Sequence, residues 1–287
     1  MIKMSKGKLY IVPTPIGNLK DITLRAIEVL NSVDIIAAED TRQTLKLTNH
    51  YNIKKQLISY HQHNEYGKSN NLIEILQEGK EIALVSDAGT PGISDPGSVI
   101  IKKCIDNNID FEVLPGATAS ITALVYSGMD TSKFMFLGFI PKSNKEKKEL
   151  IEEIKERKET LIFYEAPHRL INTLEFLKDN LGERRISLCR ELTKLHEEII
   201  RMTIEDSLEY YKKNLPKGEY VLILEGKSQE EIEMEEREKW QDLSIEEHIM
   251  MYIEEGLSKK DAIKNTAKDR KLSKSEVYRF SINIHKD

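Results

Sequence analysis

Short apolar runs alternate with amphipathic stretches along the first part of the chain, a pattern typical of a parallel β-sheet covered by helices. The pattern predicts strands at residues 9–13, 35–38, 57–60, 82–86 and 111–114, and helices at 22–30, 69–77 and 98–107. Pro115-Gly116 then interrupts the chain, because proline and glycine end regular elements. We therefore predict a first α/β domain over residues 1–116.

A second alternating region predicts another α/β domain over residues 117–227. Its expected strands are at residues 134–139, 160–164, 186–189 and 220–225, and its expected helices are at 119–126, 145–157 and 169–180. Residues 228–239 hold six glutamates and few apolar positions. This segment has the composition of an acidic, solvated linker or of the polar start of a helix.

Three short helical patterns close the chain, at residues 245–254, 259–267 and 273–284, and Ser258 is placed to cap the second. This extension, residues 240–287, is typical of a small helix-turn-helix unit, and a helical dimerisation tail fits the pattern equally well. The predicted fold class is therefore α/β, with two α/β domains and a small C-terminal helical extension.

The composition indicates a soluble, mildly acidic protein, because 32% of the 287 residues are charged and the net charge is -5. That balance argues against a protein whose whole surface binds polyanions. It is compatible with local basic patches at residues 142–158, 184–185 and 259–286. Cys104 and Cys189 have no paired spacing, which indicates a reducing compartment without disulfides or a zinc site. Since no apolar run has membrane-spanning length and the N-terminus lacks a signal-like core, we expect a cytoplasmic protein without a membrane partner.

The strongest candidate for a ligand site is the loop after the fourth predicted strand, residues 85–97, which reads VSDAGTPGISDPG. Glycine lets a backbone approach a ligand closely, and proline holds such a path rigid. The loop has neither the lysine-containing ending of a P-loop nor the glycine spacing of a dinucleotide site. Its two acids and its row of carbonyls suit a cationic or zwitterionic ligand. A sulfonium compound such as S-adenosylmethionine fits that description. A loop that only turns a tight corner is the alternative.

Other glycine-containing or charged segments follow other predicted strands, where open α/β sheets bind ligands. They are PTPIGN at residues 13–18, AEDTR at 38–42, PGATAS at 115–120, FYEAPHR at 163–169 and CRELTKLHEE at 189–198. The last two place acids, imidazoles and cations together, and these groups can supply a proton acceptor and phosphate contacts. Taken singly, His168 and His196 are more often structural or surface histidines.

These six motifs together resemble those of the ribosomal RNA small-subunit methyltransferase I family, within the tetrapyrrole methylase superfamily. The resemblance spans about residues 7–226, and the basic helical tail is similar to the C-terminal extension of that family. It implies two α/β domains of the tetrapyrrole methylase type, a cytoplasmic homodimer, and S-adenosylmethionine bound between the domains. It also implies methylation of a cytidine ribose 2′-hydroxyl in the decoding region of 16S ribosomal RNA, on the assembled small subunit.

Carried onto this chain, the resemblance implies a methyl-donor site formed by Pro13, Thr14, Gly17, Asp40, Asp87, Ala88, Gly89, Thr90, Pro91, Ser94, Asp95, Ala117, Thr118, Ala119 and Ser120. The expected reaction is an in-line displacement at the sulfonium methyl, which needs alignment of donor and acceptor and a group that takes the hydroxyl proton. We predict Glu165 as that proton acceptor, with His168 as the rival base. The predicted catalytic set is Glu165, His168, Arg169 and Lys194, and the predicted RNA contacts are Arg169, Arg190, Lys194, Lys259, Lys260 and Arg270. The reaction requires no metal.

Two other functions remain open at the level of sequence. The enzyme could methylate a small tetrapyrrole precursor, although the EAPHR motif and the basic tail favour an RNA substrate. The chain could also be a ribosome-assembly or RNA-binding factor that keeps the fold without catalysis. Such a factor would bind RNA equally well with and without the methyl donor.

Overall fold

The computed structural model describes residues 6–282 and 284, and the contacts within the chain divide it into two units, residues 1–226 and 227–287. The first unit contains two five-stranded sheets, and the second is helical. This confirms the predicted fold of two α/β domains with a small C-terminal helical extension. No helix in the described ranges is long and apolar enough to cross a membrane.

The first sheet is parallel throughout, with strand order β3-β2-β4-β1-β5. Its strands are β1 (Leu9–Ile11), β2 (Ile35–Ala38), β3 (Gln56–Ser59), β4 (Ile82–Val85) and β5 (Phe111–Val113), and its helices are α1 (Leu24–Ser32), α2 (Thr41–His50), α3 (Glu65–Gln77) and α4 (Ser98–Asp106). Side chains alternate between the faces of a strand, so Ile35 packs with α3 and α4, whereas Ile36 packs with α1. The sheet is therefore buried on both faces, as parallel sheets are.

The second sheet is mixed, with strand order β6-β7-β10-β8-β9, and only β6 and β7 are parallel neighbours. In chain order its elements are α5 (Ala119–Ser127), β6 (Phe134–Phe139), α6 (Asn144–Ile154), β7 (Thr160–Glu165), α7 (Leu170–Leu181), β8 (Arg185–Arg190), β9 (Glu198–Thr203), α8 (Ile204–Lys213) and β10 (Tyr220–Leu224). Phe163 packs with α6, α7 and α8, and Ile162 on the opposite face packs with α5.

The sequence pattern missed α2, β9 and α8. Helix α2 buries only Leu47 and two threonines, so its apolar stripe is weak, although Asp40 caps it. Strand β9 lies at the sheet edge, and its residues are half-buried or exposed, which blurs the alternation of apolar and polar positions. Helix α8 begins at the Thr203 cap directly after β9, so no turn residues separate the two elements.

The second unit consists of α9 (Gln229–Glu238), α10 (Ile245–Glu254), α11 (Lys259–Asp269) and α12 (Lys274–Phe280). A small core of Ile249, Ala262, Ile263, Ala267 and Val277 joins the last three helices. The acidic segment after residue 227 is helical and starts with a capping box at Ser228. The last helix is shorter than the predicted 273–284, and residue 283 lies outside the described residues.

Candidate active site

A cavity of about 430 Å³ lies in the first unit, at the carboxyl ends of β4 and β7 and at the amino end of β10. Its volume falls within the range of small-molecule sites. The lining from the first α/β half and from the start of α5 is Ile16, Ala88, Gly89, Thr90, Ile93, Ser94, Asp95, Thr118 and Ala119. The lining from the second half is Phe139, Tyr164, Glu165, Ala166, Pro167, Cys189, Glu191, Leu192, Lys194, Glu219, Tyr220 and Val221.

The loop after β4 reaches the cavity in a conformation that only a few residue types adopt. Gly89 has a φ of 78°, and Ser94 has a φ of 63°, which is uncommon for a residue with a side chain. The loop is fixed from behind, because the Thr14 N–H donates to the Gly89 carbonyl at 2.9 Å and the Gly89 N–H donates to the Thr14 carbonyl at 3.0 Å. The Thr14 hydroxyl also donates to the Ser86 carbonyl at 3.1 Å. Thr14 therefore positions the loop.

The loop at residues 13–18 packs directly against the segment after β8. A Cβ atom on Gly17 would lie 2.5 Å from Lys194 Cγ and 2.6 Å from Thr193 Oγ1, so only glycine fits there. The Asn18 N–H donates to Thr193 Oγ1 at 2.9 Å. A Cβ on Gly116 would lie 2.5 Å from Pro13 Cβ. Gly17 thus contributes close packing between the two halves of the first unit, and Pro13 packs against the end of the first half.

Four carboxyl groups gather at the ends of β2 and β4. The Asp40 N–H donates to Asp87 Oδ1 at 3.1 Å, and the Asp87 N–H donates to Glu39 Oε2 at 3.3 Å. The exposed Arg42 holds the pKa of Asp40 at about 2 by hydrogen bonds to its carboxylate. Burial, followed by the charge of Glu39, raises the pKa of Asp95 to about 7. The charge of the Asp95 carboxyl thus changes near neutral pH.

The predicted methyl-donor residues fall into two groups. Those that line the cavity are Ala88, Gly89, Thr90, Ser94, Asp95, Thr118 and Ala119. Those that do not line it are Pro13, Thr14, Gly17, Asp40, Asp87, Pro91, Ala117 and Ser120. Several of the second group support the first by hydrogen bonds or close packing; for example, the Thr90 hydroxyl donates to the Ala117 carbonyl at 3.4 Å.

Glu165 lines the cavity, but its side chain is fully buried and both carboxylate oxygens accept hydrogen bonds. Oε2 accepts from the Thr173 hydroxyl at 2.5 Å, and Oε1 accepts from the Ala166 N–H at 2.8 Å. Arg169 Nε lies 3.4 Å from Oε1, and the Arg169 guanidinium also donates to the Ile140 carbonyl. The carboxylate thus links the start of α7 to the end of β6. His168, the rival base, is exposed and is not among the lining residues.

Lys194 lies at the cavity between two carboxylates. Its Nζ lies 3.0 Å from Glu191 Oε1 and 2.7 Å from Glu219 Oε2. Arg190, by contrast, is outside the lining, where its Nε donates to the Lys217 carbonyl at 2.7 Å and its guanidinium pairs with Glu198. Each of these two predicted RNA contacts is therefore occupied by acceptors of the same chain.

The predicted RNA contacts of the second unit also differ in their surroundings. Lys260 is exposed on α11, whereas Lys259 donates to the Ile284 carbonyl at 2.8 Å. Arg270 donates to His248 Nδ1 and to the Trp240 carbonyl, each at 3.1 Å, and its guanidinium lies 5.3 Å from the centre of the Trp240 ring. Arg270, at the end of α11, thus binds the turn that precedes α10 and connects the two helices.

An aromatic wall of the cavity was missed at the level of sequence. The Tyr164 ring packs edge-on against Phe136 and Phe139 at centroid distances of 5.0 and 5.8 Å. Tyr164 was visible in the FYEAPHR motif, but only its charged neighbours drew a prediction. Across residues 6–282 and 284, no three His, Cys, Asp or Glu side chains form a group that could hold a metal ion.

Comparison with known proteins places this fold in a family. The model of the tetrapyrrole (corrin/porphyrin) methylases matches residues 8–207. The chain is 50% identical over 276 residues to ribosomal RNA small subunit methyltransferase I of Bacillus subtilis (strain 168), covering 96% of this chain and 94% of the relative. It is 42% identical over 221 residues to the protein of the same name from Thermotoga maritima, covering 77% of this chain and 99% of the relative.

The fold also matches a solved structure of uroporphyrin-III-C-methyltransferase from Thermus thermophilus, with a TM-score of 0.56 and 21% identity over 76% of this chain and 94% of that structure. At this identity the match concerns the fold alone. The near full-length similarity to the Bacillus relative, together with the family model, confirms the family inferred from the six motifs. The chain belongs to the tetrapyrrole methylases and, within them, to the family of ribosomal RNA small subunit methyltransferase I.

Proposed function

We propose that this protein transfers the methyl group of S-adenosylmethionine to the ribose 2′-hydroxyl of a cytidine in the decoding region of 16S ribosomal RNA, on the assembled small subunit. The observation that carries the proposal is the cavity of about 430 Å³, lined by the VSDAGTPGISDPG loop, in a chain 50% identical to a relative named for small-subunit ribosomal RNA methylation.

The chemistry of the cavity suits S-adenosylmethionine, which when bound supplies a methyl group on a positively charged sulphur. The Asp95 carboxyl, with a pKa of about 7, becomes an anion beside a bound cation, and charges in the partly desolvated cavity attract more strongly than in water. Gly89 at φ 78° and the adjoining Ala88 bring backbone groups to the cavity surface. Ile16, Ile93 and Leu192 supply the apolar contact that most small-molecule sites use.

The proposed role of Glu165 follows from its contacts. A proton acceptor needs a lone pair within hydrogen-bond reach of the reacting hydroxyl. The Glu165 side chain has no exposed surface, so a substrate hydroxyl does not reach its carboxylate, whose oxygens accept from Thr173 and Ala166. We therefore assign Glu165 and Arg169 to positioning, because together they hold the backbone at Ile140 beside the cavity. The sequence-based prediction that Glu165 takes the proton remains an alternative, and the pH profile of an amide variant separates the two roles.

The remaining partners of the proposal are a second copy of the chain and the RNA. On α5, Ile121 and Val125 lie four residues apart and are 43% and 70% exposed, which gives one helix face two apolar side chains without cover in the single chain. This supports the homodimer. For the RNA, the exposed lysines of α11 supply positive charge on a chain whose net charge is -5.

Methyl incorporation from labelled S-adenosylmethionine tests the proposal. The acceptors compared are small ribosomal subunits, naked 16S RNA and precorrin-type tetrapyrroles, and nuclease digestion identifies the methylated nucleoside. We expect 2′-O-methylcytidine on small subunits. Label on the tetrapyrroles alone would establish the small-molecule reading. RNA binding that is equal with and without the methyl donor, in the absence of any transfer, would establish the assembly-factor reading.

A further inference from the structure

A β-bulge at the end of β6 changes the face to which its last residue belongs. Phe136 pairs with Ile162 on β7, but two residues further along β7 the partner of Tyr164 is Phe139, not Gly138. One extra residue is therefore inserted into β6, with Gly138 at a φ of 65°. Since side chains alternate between faces, a regular strand would have placed Gly138 on the face of Ile162 and Tyr164. The bulge puts a phenyl ring there instead.

The ring of Phe139 lies at the edge of the cavity with part of its surface uncovered. It lines the cavity and is 52% exposed, and its contact with Tyr164 is edge-on, with 68° between the ring planes. The Tyr164 backbone itself is held between β6 and β10, where it pairs with Phe139 and Val221. A Cβ on Gly138 would lie 3.6 Å from Ser94 Oγ, so the bulge adjoins the loop that we assign to the methyl donor. The ring is therefore supported by Tyr164 on one side and accessible beside the loop after β4.

We propose that Phe139 is the stacking platform for the base of the target nucleotide. A planar apolar ring that is half exposed at the entrance of a site gains most by covering its face with another planar ring. Single-stranded nucleic acids supply such rings, and proteins commonly bind an unstacked base on an aromatic side chain. The inference rests on the proposed function, and it names the residue that holds the base while the ribose hydroxyl meets the methyl donor.

The position of Phe139 favours the base of the RNA over the adenine of the methyl donor. Most of the methyl-donor residues that line the cavity come from the loop after β4 in the first α/β half, whereas Phe139 belongs to the second half, as does the start of α5. The phenyl ring also has no polar atom that would distinguish one base from another. It therefore holds the base in place, while choice of the nucleotide must come from other contacts.

The Glu165–Arg169 pair supports the same segment. Arg169 donates to the carbonyl of Ile140, the residue directly after Phe139, and Glu165 holds Arg169 in turn. The backbone that carries the aromatic ring is thus fixed at two points. Phe139 pairs with Tyr164 on β7, and the next residue, Ile140, accepts a hydrogen bond from Arg169. A fixed ring loses little conformational entropy when a base stacks on it.

The test compares Phe139→Leu and Phe139→Trp with the unsubstituted chain, using small ribosomal subunits as the varied substrate. We expect Phe139→Leu to lower kcat/KM by about 5- to 150-fold, the range that stacking of one base supplies, mainly through a higher KM. Phe139→Trp should retain most of the activity, because the indole also stacks. S-adenosylmethionine affinity, measured by calorimetry, should be unchanged in both variants.

Phe134 offers a matched control, because it lies at the other end of β6, is 42% exposed and does not line the cavity. We expect Phe134→Leu to leave kcat/KM unchanged. Equal kinetics of Phe139→Leu and the unsubstituted chain would overturn the inference, and so would a loss confined to methyl-donor affinity, which would assign the ring to the adenine. If the unsubstituted chain labels no RNA, the proposed function fails and the inference falls with it.

Discussion

Asp95 combines a buried carboxyl group with a proposed cationic ligand, and these two features have opposite effects on its charge. Desolvation favours the neutral acid and raises the pKa to about 7. A sulfonium in the cavity favours the anion. Binding of S-adenosylmethionine should therefore remove a proton from Asp95 at neutral pH, because a ligand that prefers one protonation state shifts the equilibrium toward it.

The first prediction follows from this coupling. Between pH 6 and pH 8, affinity for S-adenosylmethionine should rise by about fivefold, which corresponds to a fall of one unit in the Asp95 pKa from about 7 on binding. Affinity for S-adenosylhomocysteine, which lacks the sulfonium charge, should change little. Asp95→Asn should remove the pH dependence, and isothermal calorimetry measures all three. A pH dependence that is the same for both ligands would contradict the assignment of Asp95 to the sulfonium.

His248 provides a second titrating group, in the core of the second unit. Its side chain is fully buried, and its ring stacks between Trp240 and Tyr252. Nδ1 accepts a hydrogen bond from Arg270, so this nitrogen carries no proton. Burial, followed by the charge of Arg270, lowers the pKa to about 4. The folded unit therefore requires the neutral imidazole.

Acid should accordingly destabilise the second unit. The unfolded histidine binds a proton near pH 6.5 and the folded one only near pH 4, so unfolding takes up a proton in this window. The free energy of unfolding should be constant above pH 6.5 and fall by about 1.4 kcal/mol per pH unit below it. Urea titration followed by the fluorescence of Trp240, the single tryptophan, measures this. His248→Gln should flatten the dependence, whereas a substitution of the exposed His63 should preserve it.

At the scale of elements, hydrogen bonds of buried side chains fix strand ends and helix starts around the cavity. The tie of Thr173, Glu165 and Arg169 to the Ile140 carbonyl joins α7 to β6. The loops at residues 13–18 and 191–197, which follow β1 and β8, contact each other through a hydrogen bond and close packing at Gly17, and so connect the ends of those two strands. Most of the charged residues predicted for catalysis take part in these hydrogen bonds and ion pairs. A charged residue in a sequence motif therefore often holds a loop in position.

Glu165→Gln tests the first of these ties. The amide leaves the Arg169 cation without its anion in a largely buried place, which in fully buried pairs costs about 3–5 kcal/mol. Because the Arg169 side chain is 21% exposed, we expect a loss of about 2–3 kcal/mol in the free energy of unfolding. A positioning role also predicts a higher KM for small subunits and an unchanged shape of the kcat–pH profile. Glu175→Gln, on the exposed side of α7, is the matched control.

Loss of the ascending limb of the kcat–pH profile in Glu165→Gln would instead return Glu165 to the role of proton acceptor. Rescue offers a further distinction. Glu165→Asp keeps the anion, and a positioning carboxylate one methylene shorter should recover part of the stability without full recovery of KM.

The sequence predicted the strands of both sheets except β9, together with the loops that carry the site, because strand alternation and glycine–proline loops are local signals. It did not predict α2, β9 or α8, whose apolar patterns are weak or lack separating turns. Nor did it place Phe139 at the cavity, because the face of that ring depends on one inserted residue in a pairing with β7. Partners distant in sequence, such as Arg270 and His248, are likewise invisible to local patterns.

At the scale of the molecule, charge is distributed unevenly along an acidic chain. Residues 259–279 contain eight lysines and arginines and three acids, although the whole chain carries a net charge of -5. On α11, Lys260, Lys264 and Lys268 follow one another at intervals of four residues, and all three are exposed. They therefore form one basic stripe on a helix face. The match to the Thermotoga relative covers 99% of that protein but only 77% of this chain.

The stripe of Lys260, Lys264 and Lys268 predicts a salt dependence that can be changed without touching the cavity. If the three lysines neutralise phosphates, the slope of log affinity for small ribosomal subunits against log salt should decrease by about 2 to 3 when all three are replaced by glutamate. S-adenosylmethionine affinity should stay the same. Replacing the exposed Lys54, Lys68 and Lys102 by glutamate changes the net charge equally and serves as the control. If both triple variants lower the slope alike, the effect comes from total charge, and the stripe has no contact of its own with RNA.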